Sequence, residues 1–261
     1  MHRSKSEYAI QTVDNAVRLI EAFESDEELG VTELARRLHL HKNNVFRLLA
    51  TLEQRGYVEE TPDDRYRLGS ACLRMGQSYL RSNSLLTRTR SILEALTGAI
   101  RETTHLAVLR GFAVVHLDGE QAEGPLQATK RLGERLPCHC TALGKVLVGC
   151  DRAETLESFD REMIVPGKLE ASTERTLVAR DPLVEHLGKV RSQGWALDLE
   201  EYALGLHCAA APIFDAEGRA VGAISASGPA LRLGRERLEH EVVPELQRAA
   251  GTVSESLGYT L

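Results

Sequence analysis

The segment that most constrains the fold is residues 31–58, whose pattern predicts a helix, a tight turn, a second helix and a strand. Leu34 and Leu38 stand four apart, as one face of a helix requires. The second helix carries an apolar stripe of Val45, Leu48, Leu49 and Leu52. Its opposite face is polar and bears Lys42, Asn43, Asn44 and Arg47. Side chains of this kind donate hydrogen bonds to phosphate oxygens and base edges, so the pattern predicts a helix-turn-helix that enters the DNA major groove.

A two-stranded wing is predicted directly after the second helix. Gly56 is suited to end that helix in a left-handed conformation. Residues 57–60 have the pattern of a strand, Pro-Asp-Asp at 62–64 supplies turn chemistry, and residues 65–68 alternate polar and apolar. Together these elements predict a winged helix-turn-helix. From helical periodicity alone, the alternative is an amphipathic pair whose polar face is merely solvated.

The distribution of charge favours the DNA-binding interpretation. Residues 1–82 hold 12 Lys/Arg and 13 Asp/Glu, so this part of the chain has no basic excess. Residues 36–55, however, have a net charge of +4. A focused positive patch on an acidic protein favours selective DNA binding over general affinity for polyanions. The predicted DNA-contacting residues are Arg36, Lys42, Asn43, Asn44 and Arg47 on the helices and Arg65 and Arg67 on the wing.

Cysteine usage and hydropathy indicate the cellular compartment in which the protein is expected. The first eight residues contain no apolar core of the kind a signal peptide has, and no apolar run approaches the ~20 residues needed to span a bilayer. We therefore expect a cytoplasmic protein whose five cysteines are reduced thiols. The cysteines are Cys72, Cys138, Cys140, Cys150 and Cys208.

Three regions are expected along the chain. Helical periodicity over residues 10–23 supplies the first helix of a DNA-binding domain at 1–69. An amphipathic segment at 70–89 is the expected linker helix, interrupted by the polar triplet Ser82-Asn83-Ser84. Residues 90–261 form the second domain.

The second domain mixes strands and helices. Strands are predicted at 105–110, 113–117, 195–199, 207–214 and 219–227. Helices are predicted at 141–149, 181–194 and 236–257. In the second of these helices Asp181 is placed as N-cap, with Pro182 at the first helical position and Gly194 past the end; Pro244 is expected to kink the last. Without regular β-α-β alternation, the pattern favours an α+β fold around an antiparallel sheet.

Short motifs in both halves of the chain match a known family. The N-terminal set is Leu34-Ala35 and residues 47–52, 56–58 and 66–69. The C-terminal set is residues 137–145, 200–205, Cys208, 210–212 and 224–229. On these residues, and in this order, the chain resembles transcriptional regulators of the IclR family over almost its full length.

The resemblance implies a winged helix-turn-helix joined by a linker helix to a GAF-like effector-binding domain. It implies a homodimer, often a dimer of dimers, and effectors that are small or aromatic carboxylates. Two recognition helices in successive major grooves imply a pseudo-palindromic double-stranded operator. The pocket positions that the motifs carry over are Leu136, Ala142, Leu143, Asp198, Leu206, Cys208, Ser225 and Ser227. The chain departs from the family pattern at Cys140, where alanine is common, and at His207, where arginine is frequent.

Elementary chemistry supports a ligand site near Thr141. A polar residue that opens a helix leaves free backbone N–H groups and a positive dipole end, which attract a carboxylate. Ser225 and Ser227 are two apart on a predicted strand and share one face. The alternative is that Thr141 only caps its helix and the serines satisfy local backbone groups.

The thiol and imidazole side chains suggest a metal- or thiol-responsive regulator as an alternative. Cys138 and Cys140 would share one face of a strand, and His207 and Cys208 lie far along the chain. The spacing is not the usual Cys-x-x-Cys of a zinc site, and buried cysteines that pack as small apolar groups are the simpler interpretation. His207 and Cys208, as strand neighbours, point to opposite faces and cannot form a nucleophile–base pair.

Two further classes of protein compete with a ligand-controlled regulator. The chain has no Gly-rich phosphate loop, no Gly-x-Ser-x-Gly elbow and no His-Glu-x-x-His. An enzyme with a DNA-binding appendage is therefore disfavoured, and no catalytic residue, cofactor or metal is expected. A DNA-binding architectural protein would have a closed apolar core in its second domain and no pocket. Together with what the resemblance implies, the sequence thus predicts a non-enzymatic DNA-binding regulator controlled by a small or aromatic carboxylate.

Overall fold

The computed structural model describes residues 9–24, 26–82, 84–124 and 126–260. These residues form two compact units, divided between Ser82 and Ser84. Two expectations involve residues outside the described ranges, namely the absence of a signal peptide in residues 1–8 and the central Asn83 of the polar triplet. No helix among the described residues is long and apolar enough to cross a membrane.

The first unit is a winged helix-turn-helix, as predicted. Its helices are α1 Gln11–Glu21, α2 Val31–Leu38, α3 Lys42–Gln54 and α4 Ser70–Ser82, with a 3-10 turn at Ala22–Glu24. Its strands are β1 Val58–Glu60 and β2 Tyr66–Leu68, which pair antiparallel. The wing is tied to the helices because Leu29 bridges Tyr66 with two backbone hydrogen bonds of 2.9 Å each.

Local chemistry explains the turns that shape this unit. The Gly30 N–H donates to Glu33 Oε2 at 2.9 Å, which caps the start of α2. His39 ends α2 in the left-handed region, with φ of 56°. Gly56 follows α3 with φ of 74°, as predicted for the helix end. The core between the helices contains Leu19, Leu34, Val45 and Leu49, all fully buried.

The second unit has a six-stranded antiparallel sheet within the described residues, in the order β5-β4-β3-β8-β7-β6. The strands are β3 Thr103–Arg110, β4 Ala113–Glu120, β5 Arg135–Pro137, β6 Ala196–Leu199, β7 Leu206–Phe214 and β8 Ala220–Pro229. The helices are α5 Ser84–Ile100, α6 Ala142–Gly149, α7 Ala153–Phe159, α8 Arg180–Gln193, α9 Arg235–Arg237 and α10 Val243–Ser256. Segments Asp160–Ile164 and Leu238–Val242 are π-helical. The predicted α+β class is confirmed.

The sheet separates two apolar cores. Leu106 and Ile224 belong to the core beneath α5 and α10. Ala107 and Ala223, their chain neighbours, belong to the core beneath α6 and α8. The alternation follows from the two-residue period of a strand, which sends successive side chains to opposite faces. The second unit is therefore built as three layers, helices–sheet–helices.

The expectation that Asp181 caps α8 is wrong. The helix begins at Arg180 with Ala179 as N-cap, and Asp181 is its second residue. Pro182, expected at the first helical position, is instead the third residue of the helix. It is tolerated there because the first N–H groups of a helix need no intrahelical partner. Gly194 ends the helix in the left-handed region with φ of 74°, as predicted. Near the C-terminus, the expected kink at Pro244 coincides with the junction between the π-helical segment and α10.

The expectation that Cys138 and Cys140 lie on a strand is also wrong. β5 ends at Pro137, and residues 138–141 bend into the start of α6. The bend brings the helix close to the preceding chain, because an added Cβ on Gly144 would lie only 2.2 Å from Cys138 Cα. Glycine at 144 is thus what permits the contact between α6 and the segment that leads into it.

Gly144→Ala should destabilise the second unit by about 3 kcal/mol, because backbone atoms on both sides must move apart to admit the methyl group. Gly98→Ala is the matched control, since Gly98 lies in α5, is exposed and has no heavy atom near its Cβ position. The control should be neutral or stabilise by up to about 1 kcal/mol. Urea denaturation of both variants checks this. Equal stability of the two would contradict the close-contact argument.

Candidate functional site

The candidate DNA interface is the exposed face of α3. Lys42, Asn43, Asn44 and Arg47 are all exposed, whereas Val45 and Leu49 on the other face are fully buried. The polar side chains of these four residues make no hydrogen bond or ion pair within the described parts of the chain. They are available to an outside partner, and the three that precede Val45 open the helix. This geometry suits a helix whose first turn leads into a groove.

The predicted wing contacts are engaged within the protein. Arg65 donates to Glu28 O at 2.8 Å and to Glu33 Oε2 at 2.9 Å, and Arg67 donates to Glu59 Oε1 at 2.7 Å. Both ion pairs are exposed enough that water screens them, so exchanging a carboxylate for a phosphate costs little. Arg36 is exposed on α2. DNA contact by these three arginines stays a prediction.

A cavity of about 270 Å³ lies between the sheet and α6. Its walls come from β3, β4, β5, β6, β7 and β8, from the first turn of α6 and from the connecting segments near residues 127–131 and 202–203. All eight residues implied by the family motifs line it. They are Leu136, Ala142, Leu143, Asp198, Leu206, Cys208, Ser225 and Ser227. The structure therefore brings together residues that lie up to 91 positions apart in the printed sequence.

Strand register explains how the sheet places these side chains. Asp198 on β6 is opposite Cys208 on β7, which is opposite Ser227 on β8. One step along β8 on the same face, Ser225 is opposite His105 on β3. Directly paired residues on neighbouring antiparallel strands point to the same side of the sheet. The floor of the cavity is thus a set of polar and small side chains presented by adjacent strands.

The first turn of α6 forms the wall opposite the sheet. Thr141 is the N-cap, and its Oγ1 accepts from Gly144 N at 3.2 Å and donates to Pro137 O at 2.8 Å. The capping alternative for Thr141 is therefore part of the structure. Ala142 and Leu143 follow it and line the cavity. Because the first N–H groups of a helix have no intrahelical partner, this turn presents a positive dipole end to the cavity.

Asp198 is the buried acid of the site. Its Oδ1 accepts the backbone N–H groups of Glu201 at 2.7 Å and Tyr202 at 3.3 Å. Burial raises the pKa of Asp198 to about 7, against the opposing effect of nearby Lys145. Around neutral pH this carboxyl group is therefore able to donate a hydrogen bond to a ligand as the protonated acid.

Arg131 supplies a cation to the lining. Its guanidinium lies 5.5 Å from the centre of the Tyr202 ring, in cation–π geometry, and Nη1 is 2.8 Å from Glu134 Oε2. Neither Arg131 nor Tyr202 was among the predicted site residues. They belong to irregular connections, where no periodicity indicates which side chain faces inward.

Two histidines in the cavity were also missed. His105 and His116 are almost fully buried, with ring centres 4.9 Å apart and planes nearly perpendicular. His105 Nε2 donates to Thr129 O at 3.2 Å. Burial lowers the pKa of His105 to about 4 and that of His116 to about 3, so both rings are neutral. The predicted hairpin around Gly111 already placed both residues on one face, and this was the available indication.

The remaining cavity residues that were not predicted are Gln127, Ala128, Thr129 and Ala203. Thr141, which opens the helix where a carboxylate site was expected, also lines the cavity.

The cysteines do not form the cluster that the metal-responsive alternative requires. His139 donates to Glu170 O at 2.9 Å and His207 Nδ1 donates to Leu233 O at 2.8 Å. Both rings are therefore engaged in hydrogen bonds to backbone carbonyl groups. Burial raises the pKa of Cys138 to about 12 and that of Cys140 to about 11, which disfavours the thiolate. Within the described ranges, no three His, Cys, Asp or Glu side chains are grouped to hold a metal ion.

Comparison with known proteins matches both halves of the chain to the same family. The family model described as bacterial transcriptional regulator IclR C-terminal matches residues 77–255, and the IclR helix-turn-helix domain matches residues 12–62. The HTH-type transcriptional regulator BhcR of Paracoccus denitrificans is 35% identical over 230 residues, which are 88% of this chain and 81% of that protein.

Solved structures share the fold. The IclR of Thermotoga maritima superposes with a TM-score of 0.80 at 27% identity, covering 96% of this chain and all of the other. An IclR homologue of Microbacterium hydrocarbonoxydans, crystallised with 4-hydroxybenzoate, gives a TM-score of 0.80 at 24% identity, covering 94% and 98% of the two chains. The second likeness concerns the fold alone.

His116→Phe should make the protein less sensitive to acid. In the unfolded chain His116 takes up a proton near pH 6.5, whereas the folded chain resists it down to about pH 3, so its contribution to stability is lost as pH falls between these values. From pH 7 to pH 4.5 the variant should lose about 2 kcal/mol less than the wild type. Denaturant unfolding at both pH values measures this. The same change at exposed His240 is the control, and equal acid losses in wild type and His116→Phe would contradict the prediction.

Proposed function

The chain belongs to the IclR family of bacterial transcriptional regulators, and from that premise we propose that a small carboxylate in the cavity of the second unit controls DNA binding by a homodimer. At the family level the chain is a DNA-binding transcriptional regulator with an effector-binding C-terminal domain. The observation that carries the proposal is the cavity between the sheet and α6. A closed apolar core there would have left no room for an effector.

The DNA-binding part of the proposal rests on α3. Lys42, Asn43, Asn44 and Arg47 form its exposed face, and Asn and Arg are the side chains that read adenine and guanine edges in the major groove. Arg36, Arg65 and Arg67 contact flanking phosphates in this proposal. With no basic excess in residues 1–82, affinity for DNA depends on these few contacts and on dimer spacing.

A carboxylate is supported by the charges around the cavity. The dipole of α6 points its positive end at the lining residues Ala142 and Leu143, and Arg131 adds a cation. Asp198 does not repel an anion while its carboxyl group is protonated, and burial favours that form up to about pH 7. Tyr202 and Leu206 offer the apolar surface that an aromatic ring would contact. The 4-hydroxybenzoate held by the Microbacterium homologue belongs to the same chemical class.

A homodimer is supported by exposed apolar side chains on the first unit. Val13 and Val17 on α1 and Leu73 and Met75 on α4 are each about half exposed or more. Exposed apolar side chains such as these are surface that a partner subunit would cover. In the proposed dimer two recognition helices enter successive major grooves of a pseudo-palindromic operator, and a dimer of dimers extends the same arrangement. Residues 70–89 transmit the effector's influence, with a coupling of about 1–3 kcal/mol between ligand and DNA.

Arg47→Ala should weaken binding to the selected operator by about tenfold or more while the fold is retained, because it removes a guanidinium from the groove-facing side of α3. The operator is first selected from random double-stranded DNA by the wild-type protein, and affinity is then measured by fluorescence anisotropy. Arg110→Ala removes the same charge from an exposed position at the end of β3 in the second unit and is the matched control. Unchanged operator affinity in Arg47→Ala would rule out this recognition helix.

Replacing Ser225 and Ser227 together with alanine should weaken binding of 4-hydroxybenzoate, used as a probe, by about tenfold, because two hydroxyl hydrogen bonds are lost. Isothermal titration calorimetry measures the affinity. Ser254→Ala is the control, since Ser254 is equally buried but its hydroxyl bonds Ala250 O and Phe214 N outside the cavity. If the double variant binds the probe as the wild type does, the effector site lies elsewhere.

A further inference from the structure

The cavity contains a second polar region, on the side of β3 and β4. In the described part of the chain, eight buried side-chain atoms have no hydrogen-bond partner, and five of them belong to residues that line this cavity. The five atoms are His105 Nδ1, His116 Nδ1, His116 Nε2, Gln127 Oε1 and Ser225 Oγ. A buried polar atom without a partner destabilises a fold, so proteins rarely keep several together. Their concentration at one place marks the part of the cavity where the polar groups of a ligand would find hydrogen-bond partners.

The side chains concerned are deeply buried. His105 is 2% exposed, His116 is 4% exposed and Ser225 is 1% exposed. They lie on β3, β4 and β8, three neighbouring strands, and Ser225 is directly opposite His105. Asp198, by contrast, lies on β6, at the edge of the sheet farther from β4. The part of the cavity lined by the histidines thus differs in chemistry from the part lined by Asp198.

The hydrogen-bonding balance in this second polar region identifies the group that fits it. Because His105 donates through Nε2 to Thr129 O, its Nδ1 is a bare acceptor. Neutral His116 offers one acceptor and one donor, Gln127 Oε1 is an acceptor, and the Ser225 hydroxyl serves either way. Among these five unpartnered atoms, acceptors therefore outnumber donors. A carboxylate, which only accepts, leaves these acceptors unsatisfied, whereas hydroxyl groups both donate and accept.

We propose that the effector is a hydroxylated carboxylate, whose hydroxyl groups are bound by His105, His116 and Ser225 while its carboxylate faces the first turn of α6. The inference rests on the proposed function and adds the chemistry of the effector's other end. Specificity follows, because an analogue without hydroxyl groups leaves the histidine nitrogens unpaired in a buried site.

Matched ligand pairs test the proposal on the intact protein. Isothermal titration calorimetry compares benzoate with 3,4-dihydroxybenzoate, and hexanoate with gluconate. In at least one pair the hydroxylated member should bind about tenfold tighter or more. If carboxylates bind but neither pair shows that preference, this inference is overturned and the proposed function stands. If none of the four compounds binds, the carboxylate effector of the proposed function is contradicted as well.

The variant His116→Phe then tests whether His116 causes the preference for the hydroxylated ligand. The ratio of affinities within the preferred pair should fall to about one, because phenylalanine fills the space but cannot hydrogen-bond. His186→Phe is the matched control, since His186 also has an unpartnered nitrogen but lies on α8 outside the cavity, and it should keep the wild-type ratio. Ser225→Ala, a smaller change, should reduce the ratio in the same direction. An unchanged ratio in both His116→Phe and Ser225→Ala overturns the assignment.

Discussion

The buried ion pair between Lys145 and Glu201 fixes the geometry on which the cavity depends. Lys145 lies on α6 and is fully buried, with Nζ 2.5 Å from Glu201 Oε1. A buried ammonium left without its carboxylate costs several kcal/mol, so α6 cannot separate from the connection between β6 and β7 without a large penalty. That connection is itself anchored, because Thr176 donates to Glu201 O at 2.6 Å and Asp198 accepts from Glu201 N. The first turn of α6 is thus held at a set distance from the acid of the site.

The space for a ligand arises from an asymmetry between the two faces of the sheet. Toward α5 and α10 the strands present bulky residues such as Leu106 and Ile224, which fill that layer. Toward α6 they present small or polar ones such as Ala107, Ala223 and Ser225. Strand alternation makes this division possible within a single stretch of β8. Small side chains on this face leave space between the sheet and α6. The helix cannot move closer to the sheet because Gly144 already contacts the backbone at Cys138.

Features that depend on local sequence could be predicted, whereas features that depend on contacts between distant segments could not. The winged helix-turn-helix and the antiparallel sheet were predictable because periodicity and glycine-bearing turns are local properties, as at Gly56 and Gly194. The N-cap of α8 was misplaced because Asp181 looked like a cap but the helix starts one residue earlier. The pocket positions came from family motifs and not from physics. Arg131 and Tyr202 escaped because their inward orientation is set by contacts between distant, irregular segments.

The two faces of the sheet also suggest how a ligand signal would leave the cavity. In the proposed mechanism the effector fixes His105 on β3 and Ser225 on β8. The residues adjacent to them on those strands point to the opposite face of the sheet, into the core beneath α5. That core includes Leu85 and Leu86, which lie in the first turn of α5, directly after the division between the two units. Close-packed cores have discrete arrangements and do not deform continuously. In this mechanism, a ligand that favours one distance between β3 and β8 also favours one position of the first turn of α5. The chain segment that continues into the DNA-binding unit begins at that turn.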